Sequence, residues 1–429
     1  MKKVLIITYY WPRSGGAGVQ RWLKFTKYLP EYGWEPTVLT VKEENASYAQ
    51  WDNTLADEID PSLRVIRTSS FEPYSLYLRI SGKKEIPYGG FTNEGRVTLF
   101  QKLTRFIRGN FFIPDPRRGW NRSAVKAAMK LLKEEKFDAV VTTGPPHSTH
   151  LIGYRLKKNT GIKWIADFRD PWTDIYYYKD LSHSVLAKWY DKKLEKKILV
   201  SCDKIITVGN EIKELLRSKS GKLANEKFKV ITNGFDHSDF EGFKNGSSER
   251  FTITYAGTIS SYYRLDGFVS ALESLPEDIR NNVFVRFVGN MSQNIIHLFE
   301  HAGLSSQLEY IGYVSHEKSI GYLFESSVLL LLIPDVQENK GILTGKFFEY
   351  LATGKPILAI GPTDGDVAHI LKETGAGFIA NYDNSFALNE KIKELYANYQ
   401  MGNVETPSRE IEKYSRKYLT GKLVDVFEN

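Results

Sequence analysis

Short apolar runs alternate with amphipathic stretches along most of the chain. In the first half the runs KVLIIT, TVLTV, LRVIRT, AVVTT, KWIAD, KIITV and KVITN read as strands, being short, rich in Val and Ile and bounded by turn residues. Helical spacing fills intervals between them at 18–31, 121–135, 148–160, 184–199 and 209–218. Strands that alternate with helices predict a parallel sheet covered on both faces. After Asn233-Gly234 the stretch FDHSDFEGFKNGSSER has no periodicity and many Gly, Ser, Asp and Asn, as a linker does. The alternation then restarts, with strands TITYAG, VFVRFVG, LEYIGY, VLLLLIP, PILAIG and GFIAN. Helices are predicted at 264–275, 293–303, 315–324, 345–353, 366–373 and 384–398, and a last one at about 407–428 with no strand after it. The expectation is an α/β protein of two doubly wound parallel-sheet domains. The first is 1–235, closed by a C-terminal helix at 412–429, and the second is 236–411. Ligands of such sheets sit beyond the C-terminal ends of the strands, so the site is expected in the loops there, in a cleft that both domains face.

Composition narrows the class without naming a chemistry. The 429 residues are 42% hydrophobic and 25% charged, an ordinary globular balance that excludes disordered and fibrous chains. The single cysteine, Cys202, excludes an intrachain disulfide and any multi-cysteine metal site. The net charge of +7 hides an asymmetry: residues 1–235 carry +16 and residues 236–411 carry −10. Such a division suggests two domains with different partners. Within the basic half, residues 71–122 hold ten Lys or Arg against four acids, interleaved with aromatics. That mixture suits an anionic lipid surface, single-stranded nucleic acid, or an insertion whose rings pack inside the fold. The apolar run in MKKVLIITYYWP is too short for a signal sequence, and no window approaches eighteen apolar residues. A cytoplasmic protein, soluble or peripherally attached to a membrane, is expected.

Two loops carry candidate chemistry. Pro12–Arg21 lies between the first strand and a helix, and its glycines would let backbone approach a ligand. It fails as a dinucleotide fingerprint, because the third glycine is replaced by Arg21. A plain turn and a ligand-approaching loop both remain. The second is Thr344-Gly345-Lys346-Phe347-Phe348-Glu349, which opens a helix. Lys346 and Glu349, three apart, share a face of its first turn, beside amides at the positive end of the helix dipole. That set suits a nucleoside diphosphate, with the cation and amides on the pyrophosphate and the carboxylate on the ribose. The alternative is a surface pair worth about 0.2–0.5 kcal/mol. Two other patterns read as decoys. Asp364-Gly365-Asp366 spells a metal-binding D-x-D but sits where Asp366 can start a helix. Asp167 and Asp170 could be taken for a glycosidase pair, whose spacing in the fold a sequence does not give.

The segments GGAGVQRWLKF, TGPPHSTHLIGYRL, WIADFRDPWT, VITNGFD, ITYAGTI, VRFVGN, YIGYVSHEK and TGKFFEYLATGKPIL occur in that order over nearly the whole chain. Together they resemble the retaining glycosyltransferases of family 4 (group 1), of the kind that builds bacterial surface polysaccharides. The resemblance implies a GT-B fold of two Rossmann-like domains and transfer of a sugar from a nucleotide sugar to a carbohydrate or lipid-linked acceptor. It implies no cofactor, no metal and no nucleic-acid partner, and an anionic membrane surface could be met through 71–122. Glu349 matches the ribose-binding carboxylate, and Lys346 and Arg264 the cations on the pyrophosphate. Gly15, Gly16 and Gly18 match the glycine loop near the donor. Gly257, Thr258, Tyr313, Val314, Thr344 and Gly345 complete the implied donor site. His147 resembles the histidine at the donor sugar, with His150 a second candidate. Asp167, Arg169 and Asp170 match a polar segment on the acceptor side, with Asp170 counted among the catalytic set. One departure stands out: eight residues before Glu349, where the family carries a second glutamate, this chain has Gly341. A sugar-nucleotide epimerase of the same fold and a non-catalytic nucleotide-sugar-binding protein are the competing functions.

Overall fold

The computed structural model describes residues 1–48, 51–71, 99–221, 223–243, 250–403, 406 and 409–429. Most of segment 71–122 therefore lies outside the described residues. The chain divides into two units: residues 1–232 with 416–429, and residues 233–415.

The first unit is built on seven parallel strands. They are β1 (Lys2–Ile7), β2 (Trp34–Val41), β3 (Arg64–Thr68), β4 (Ala139–Gly144), β5 (Trp164–Phe168), β6 (Lys204–Thr207) and β7 (Phe228–Val230), in the order β3-β2-β1-β4-β5-β6-β7. The helices of this unit are α1 (Ala17–Tyr28), α2 (Leu99–Phe111), α3 (Asn121–Glu134), α4 (Ser148–Thr160), α5 (Val185–Ser201) and α6 (Asn210–Lys219). The strand runs lack hydrophobic-polar alternation because both faces are covered. In β1, Leu5 and Ile7 enter one core with Val140, Ile152 and Trp164, while Val4 and Ile6 enter the other with Trp22 and Phe25. That second core is completed by the end of the chain. A helix at Arg416–Glu428 lays Leu419, Leu423 and Phe427 into it, with the Phe427 ring 4.9 Å from that of Trp34. The last helix begins nine residues later than its periodicity predicts, after a short 3-10 turn at Ile411–Tyr414.

The second unit repeats the design with six parallel strands. They are β8 (Phe251–Ala256), β9 (Val283–Val288), β10 (Leu308–Gly312), β11 (Val328–Leu332), β12 (Ile357–Ile360) and β13 (Gly377–Ala380), in the order β10-β9-β8-β11-β12-β13. Its main helices are α7 (Asp266–Glu273), α8 (Gln293–His301), α9 (His316–Phe324), α10 (Gly345–Thr353), α11 (Asp366–Thr374) and α12 (Ser385–Gln400). Alternate residues of β11 again feed opposite cores: Leu330 and Leu332 one, Leu329 and Leu331 the other.

Asp167 lies at the end of β5. It was placed on the acceptor side, yet it is fully buried and its carboxylate is consumed inside the first unit. Arg21 of α1 donates to it through Nη2 (3.0 Å) and Nε (3.3 Å), Trp22 Nε1 at 2.8 Å and Thr143 Oγ1 at 2.9 Å. Arg21 itself is 0% exposed and donates further to the carbonyls of Ile231 and Thr232. One ion pair thus fastens α1 to the ends of β4 and β5 and to the chain leaving β7. With three donors on Oδ2 and one on Oδ1, the carboxylate is committed chiefly to this internal network. Removing one partner of such a pair leaves a buried charge alone, which costs about 3–5 kcal/mol. Asp167→Ala is expected to lose about that much unfolding free energy in a denaturant titration. A loss under about 1 kcal/mol, typical of an exposed pair, would refute the assignment.

Candidate functional site

Strand order reverses once in each sheet, between β1 and β4 in the first unit and between β8 and β11 in the second. At such a point the connections leave to opposite faces of the sheet and open a crevice beyond the strand ends. The candidate residues gather at these two points, and each unit is described by itself.

In the first unit the loop after β1 carries Gly15 and Gly16, Gly18 lies in the first turn of α1, and the loop after β4 leads to His147. Gly16 caps α1, and the cap makes no side-chain hydrogen bond. The Arg169 guanidinium lies against Gly18, where a Cβ would overlap it unless the arginine moved. Arg169 donates through Nη2 to the Pro145 carbonyl (2.6 Å) and through Nε to that of Gly144 (3.2 Å). It therefore ties the glycine loop to the loop after β4, which makes it a builder of this crevice. Asp170 is the next residue; burial raises its pKa and the neighbouring Arg169 counteracts this.

His147 and His150 lie together at the start of α4, with ring centroids 6.0 Å apart. His147 stacks on Trp172 at 5.0 Å and 9°. His150 stacks on Phe168 at 4.4 Å. Burial drives the His147 pKa well below its ordinary value, helped by His150 and Arg169, and that of His150 down to about 3. Both are neutral at physiological pH, and neither can supply an acid proton there. The Thr142 hydroxyl accepts from Trp164 Nε1 and lies 2.9 Å from His150 Nδ1. If the hydroxyl donates to Nδ1, its own proton is satisfied and the imidazole proton sits on Nε2. That nitrogen has no partner, and a Cβ on Gly144 would lie 2.7 Å from it and 3.0 Å from His147 Nδ1. The two rings thus offer polar edges to the space beside Gly144.

In the second unit, Lys346 on the first turn of α10 reaches to the loop after β8. Its Nζ donates to the Tyr255 hydroxyl (2.7 Å) and sits 4.2 Å from the centre of that ring. Tyr255 in turn donates to the Thr258 carbonyl at 3.1 Å. Gly257 has φ +131°, and a Cβ there would collide with the Lys346 ammonium. Burial lowers the Lys346 pKa to about 8, with Glu349 opposing the shift. Thr344 precedes α10 without capping it through its side chain, leaving the amides of the first turn to other acceptors. Glu349 faces His316, with Nε2 3.1 Å from Oε1.

The other predicted donor residues are less engaged. Tyr313 is 65% exposed and Val314 half-buried after β10. The Arg264 guanidinium is held by Asp335 (3.0 Å) and Asp383, so its charge is already balanced by two carboxylates. A role on the pyrophosphate requires it to exchange these partners. Gly341 ends a short 3-10 turn that follows Glu338. Asp366 is the first residue of α11 and Asp364 pairs with Lys340, as befits a loop and helix start. His297 and His301 are four apart on α8, but His297 pairs with Glu300. Among the described residues no group of three metal-ligating side chains occurs. Trp172, Tyr255 and His316 were not singled out from the sequence, and Arg21 was noted only as the residue that breaks the dinucleotide fingerprint. His316 lies inside the quoted segment YIGYVSHEK, but nothing in the spacing links it to Glu349 33 residues on.

Residues 238–417 match the model of glycosyl transferases group 1, and residues 87–239 that of glycosyltransferase family 4. The chain belongs to the group 1, family 4 glycosyltransferases. No curated protein matches it in sequence. Solved structures agree in fold over the whole length. Sucrose-phosphate synthase from Thermosynechococcus elongatus gives a TM-score of 0.63 at 15% identity, covering 100% of this chain and 98% of that one. Anabaena HepE in complex with UDP-glucose gives 0.63 at 12%, covering 100% of both. WaaG, a glycosyltransferase involved in lipopolysaccharide biosynthesis, gives 0.58 at 15%, covering 99% of both. The fold of this glycosyltransferase is GT-B.

The lowered pKa of Lys346 has a measurable consequence in the free enzyme. Between about pH 8 and the ordinary lysine range, the unfolded chain holds a proton that the folded one has lost. Lys346 therefore contributes stability that rises with pH across that window. Thermal melts of wild type and Lys346→Met should converge as pH rises from about 8 to 10, the variant being the more stable at pH 7. Parallel curves would show an unshifted, solvated lysine.

Proposed function

We propose that this glycosyltransferase moves a sugar from a nucleoside-diphosphate sugar to an acceptor hydroxyl, with retention of configuration. The observation that carries the reading is the Lys346–Tyr255–Gly257 contact, beside uncapped helix amides and a carboxylate one turn on. Departure of the nucleoside diphosphate builds negative charge on the pyrophosphate. An ammonium held at low dielectric and fixed amides stabilise that charge as it forms. Glu349, oriented by His316, receives the ribose hydroxyls. Because Lys346 and the amides supply the positive charge, the reaction proceeds without a metal, and activity is expected to survive EDTA.

The first unit supplies the sugar and acceptor side. His147 and His150, kept neutral by burial, serve as hydrogen-bond partners for sugar hydroxyls. The acceptor proton passes to the departing phosphate oxygen, a front-face displacement that needs no protein nucleophile. Arg169 and Asp170 shape the crevice where the acceptor hydroxyl arrives. The acceptor is a lipid-linked or cell-surface polysaccharide intermediate. The basic balance of residues 1–235 and the likeness to WaaG support this, with segment 71–122 meeting an anionic membrane. HepE, solved with UDP-glucose, supports a uridine nucleotide as the first donor to try.

A thermal-shift screen against UDP-, GDP-, dTDP- and CMP-sugars tests the donor. A ligand at about 100 times its Kd should add roughly 2.7 kcal/mol of stability. A flat response to all four removes the nucleotide-sugar reading. Lys346→Ala should keep its fold and lose turnover by about 10²–10³-fold, the scale of one lost transition-state donor. For the ligand that responds, Kd should rise up to about tenfold per pH unit above pH 8, as the free enzyme loses the Lys346 proton. Lys346→Met should abolish that dependence.

A further inference from the structure

Helix α5 is built inside out with respect to charge. Its buried face carries Asp191 and Glu195, 1% and 2% exposed, together with Ala187 and Ile198. Asp191 accepts from Trp172 Nε1 (2.8 Å) and from the Tyr178 hydroxyl (3.0 Å). Glu195 accepts from Thr173 Oγ1 (2.7 Å) and is paired with Lys219 at 2.9 Å. Both acids of the helix are therefore spent on the interior. The exposed face is left with Lys188, Lys192, Lys193, Lys196 and Lys197 and no acid. None of the five forms an ion pair among the described residues.

The same face displays large apolar groups. Val185 is 84% exposed, Leu186 78%, Trp189 59% and Tyr190 39%. Val185, Trp189 and Lys193 follow one another at four-residue spacing, and the Lys193 ammonium rests 4.8 Å from the Trp189 ring. The C-terminal end of α2 adjoins the start of α5. Asn110 accepts from the Ser184 amide (2.8 Å) and donates to the Ser182 carbonyl (3.1 Å). Helix α2 adds exposed Leu103, Phe106, Ile107 and Phe111. Apolar side chains ordinarily turn inward on a helix that carries acids. Here packing holds them outward beside a row of unpaired cations.

We propose that the outer face of α5, continued by α2, is a docking surface for an anionic lipid bilayer. Lysines meet headgroup phosphates while Trp189, Leu186 and Val185 enter the boundary with the acyl chains. Charge complementarity selects this occupant over a second copy of the chain, which would bring five lysines against five. The proposal rests on the membrane contact suggested above for 71–122 and adds a second element to it, outside that segment.

Co-sedimentation of the intact protein with phosphatidylcholine vesicles, with and without about 30% phosphatidylglycerol, tests it. Binding is expected to the anionic vesicles, falling with added salt. Each Lys→Gln change at 188, 192 or 193 should weaken it about fivefold, the equivalent of about 1 kcal/mol per cation. Leu186→Ser with Trp189→Ser should weaken it more than tenfold with circular dichroism and melting temperature unchanged. Wild type that ignores anionic vesicles overturns both this proposal and the membrane role of 71–122. Wild type that binds while the α5 variants bind equally overturns this proposal alone, and Phe106→Ser with Ile107→Ser then locates the contact on α2. A concentration-dependent dimer abolished by the α5 apolar changes would overturn it in favour of a second copy.

Discussion

A parallel sheet buried on both faces has no free surface except its ends, and only one place at those ends where neighbouring connections part. That constraint organises this glycosyltransferase. In the first unit β1 and β4 flank the parting, so the glycine loop and the two histidines share one crevice although about 130 residues separate them. In the second unit β8 and β11 flank it, and Gly257 meets Lys346 for the same reason. The chemistry is thus located by strand order before any side chain is considered. The buried Arg21–Asp167 pair then keeps the first crevice rigid by holding α1 against the strand ends.

The titratable groups in these crevices share a common treatment. Burial lowers the pKa of both histidines and of the lysine, which makes the charged form costlier in each. An arriving dianion offsets that cost and holds the lysine charged as it binds. Arg264 shows the opposite arrangement, an exposed cation already matched by two carboxylates. Its bonds must be rearranged before it can help, whereas Lys346 needs only a ligand.

Much of this was legible from periodicity. Thirteen strand runs appear where the hydrophobic pattern puts them, most plainly in the central strands, which are covered on both faces and apolar throughout. Lys346 and Glu349 were also legible, since a helix fixes which residues three apart share a face. What was not legible depends on contacts between distant segments. Asp167 looks like a site residue in WIADFRDPWT until Arg21 is seen to occupy it. His316 and Tyr255 reach Glu349 and Lys346 only through the fold. The outward face of α5 escaped for a further reason. Its sequence reads as an ordinary amphipathic helix, and only Trp172, Tyr178, Thr173 and Lys219 show that the acids face inward.

The return of the last helix to the first unit bears on how the protein is made. Residues 233–415 are contiguous and can fold as soon as they leave the ribosome. Residues 1–232 complete their second core only with Leu419, Leu423 and Phe427, which are made after the whole of the second unit. The first-made half of the enzyme thus waits, with Trp34 and its neighbours uncovered, until the helix that follows the second unit has been made. A chain stalled or cut before the final helix would finish its donor-side unit and leave the other open. Completion of the first unit therefore follows synthesis of the second.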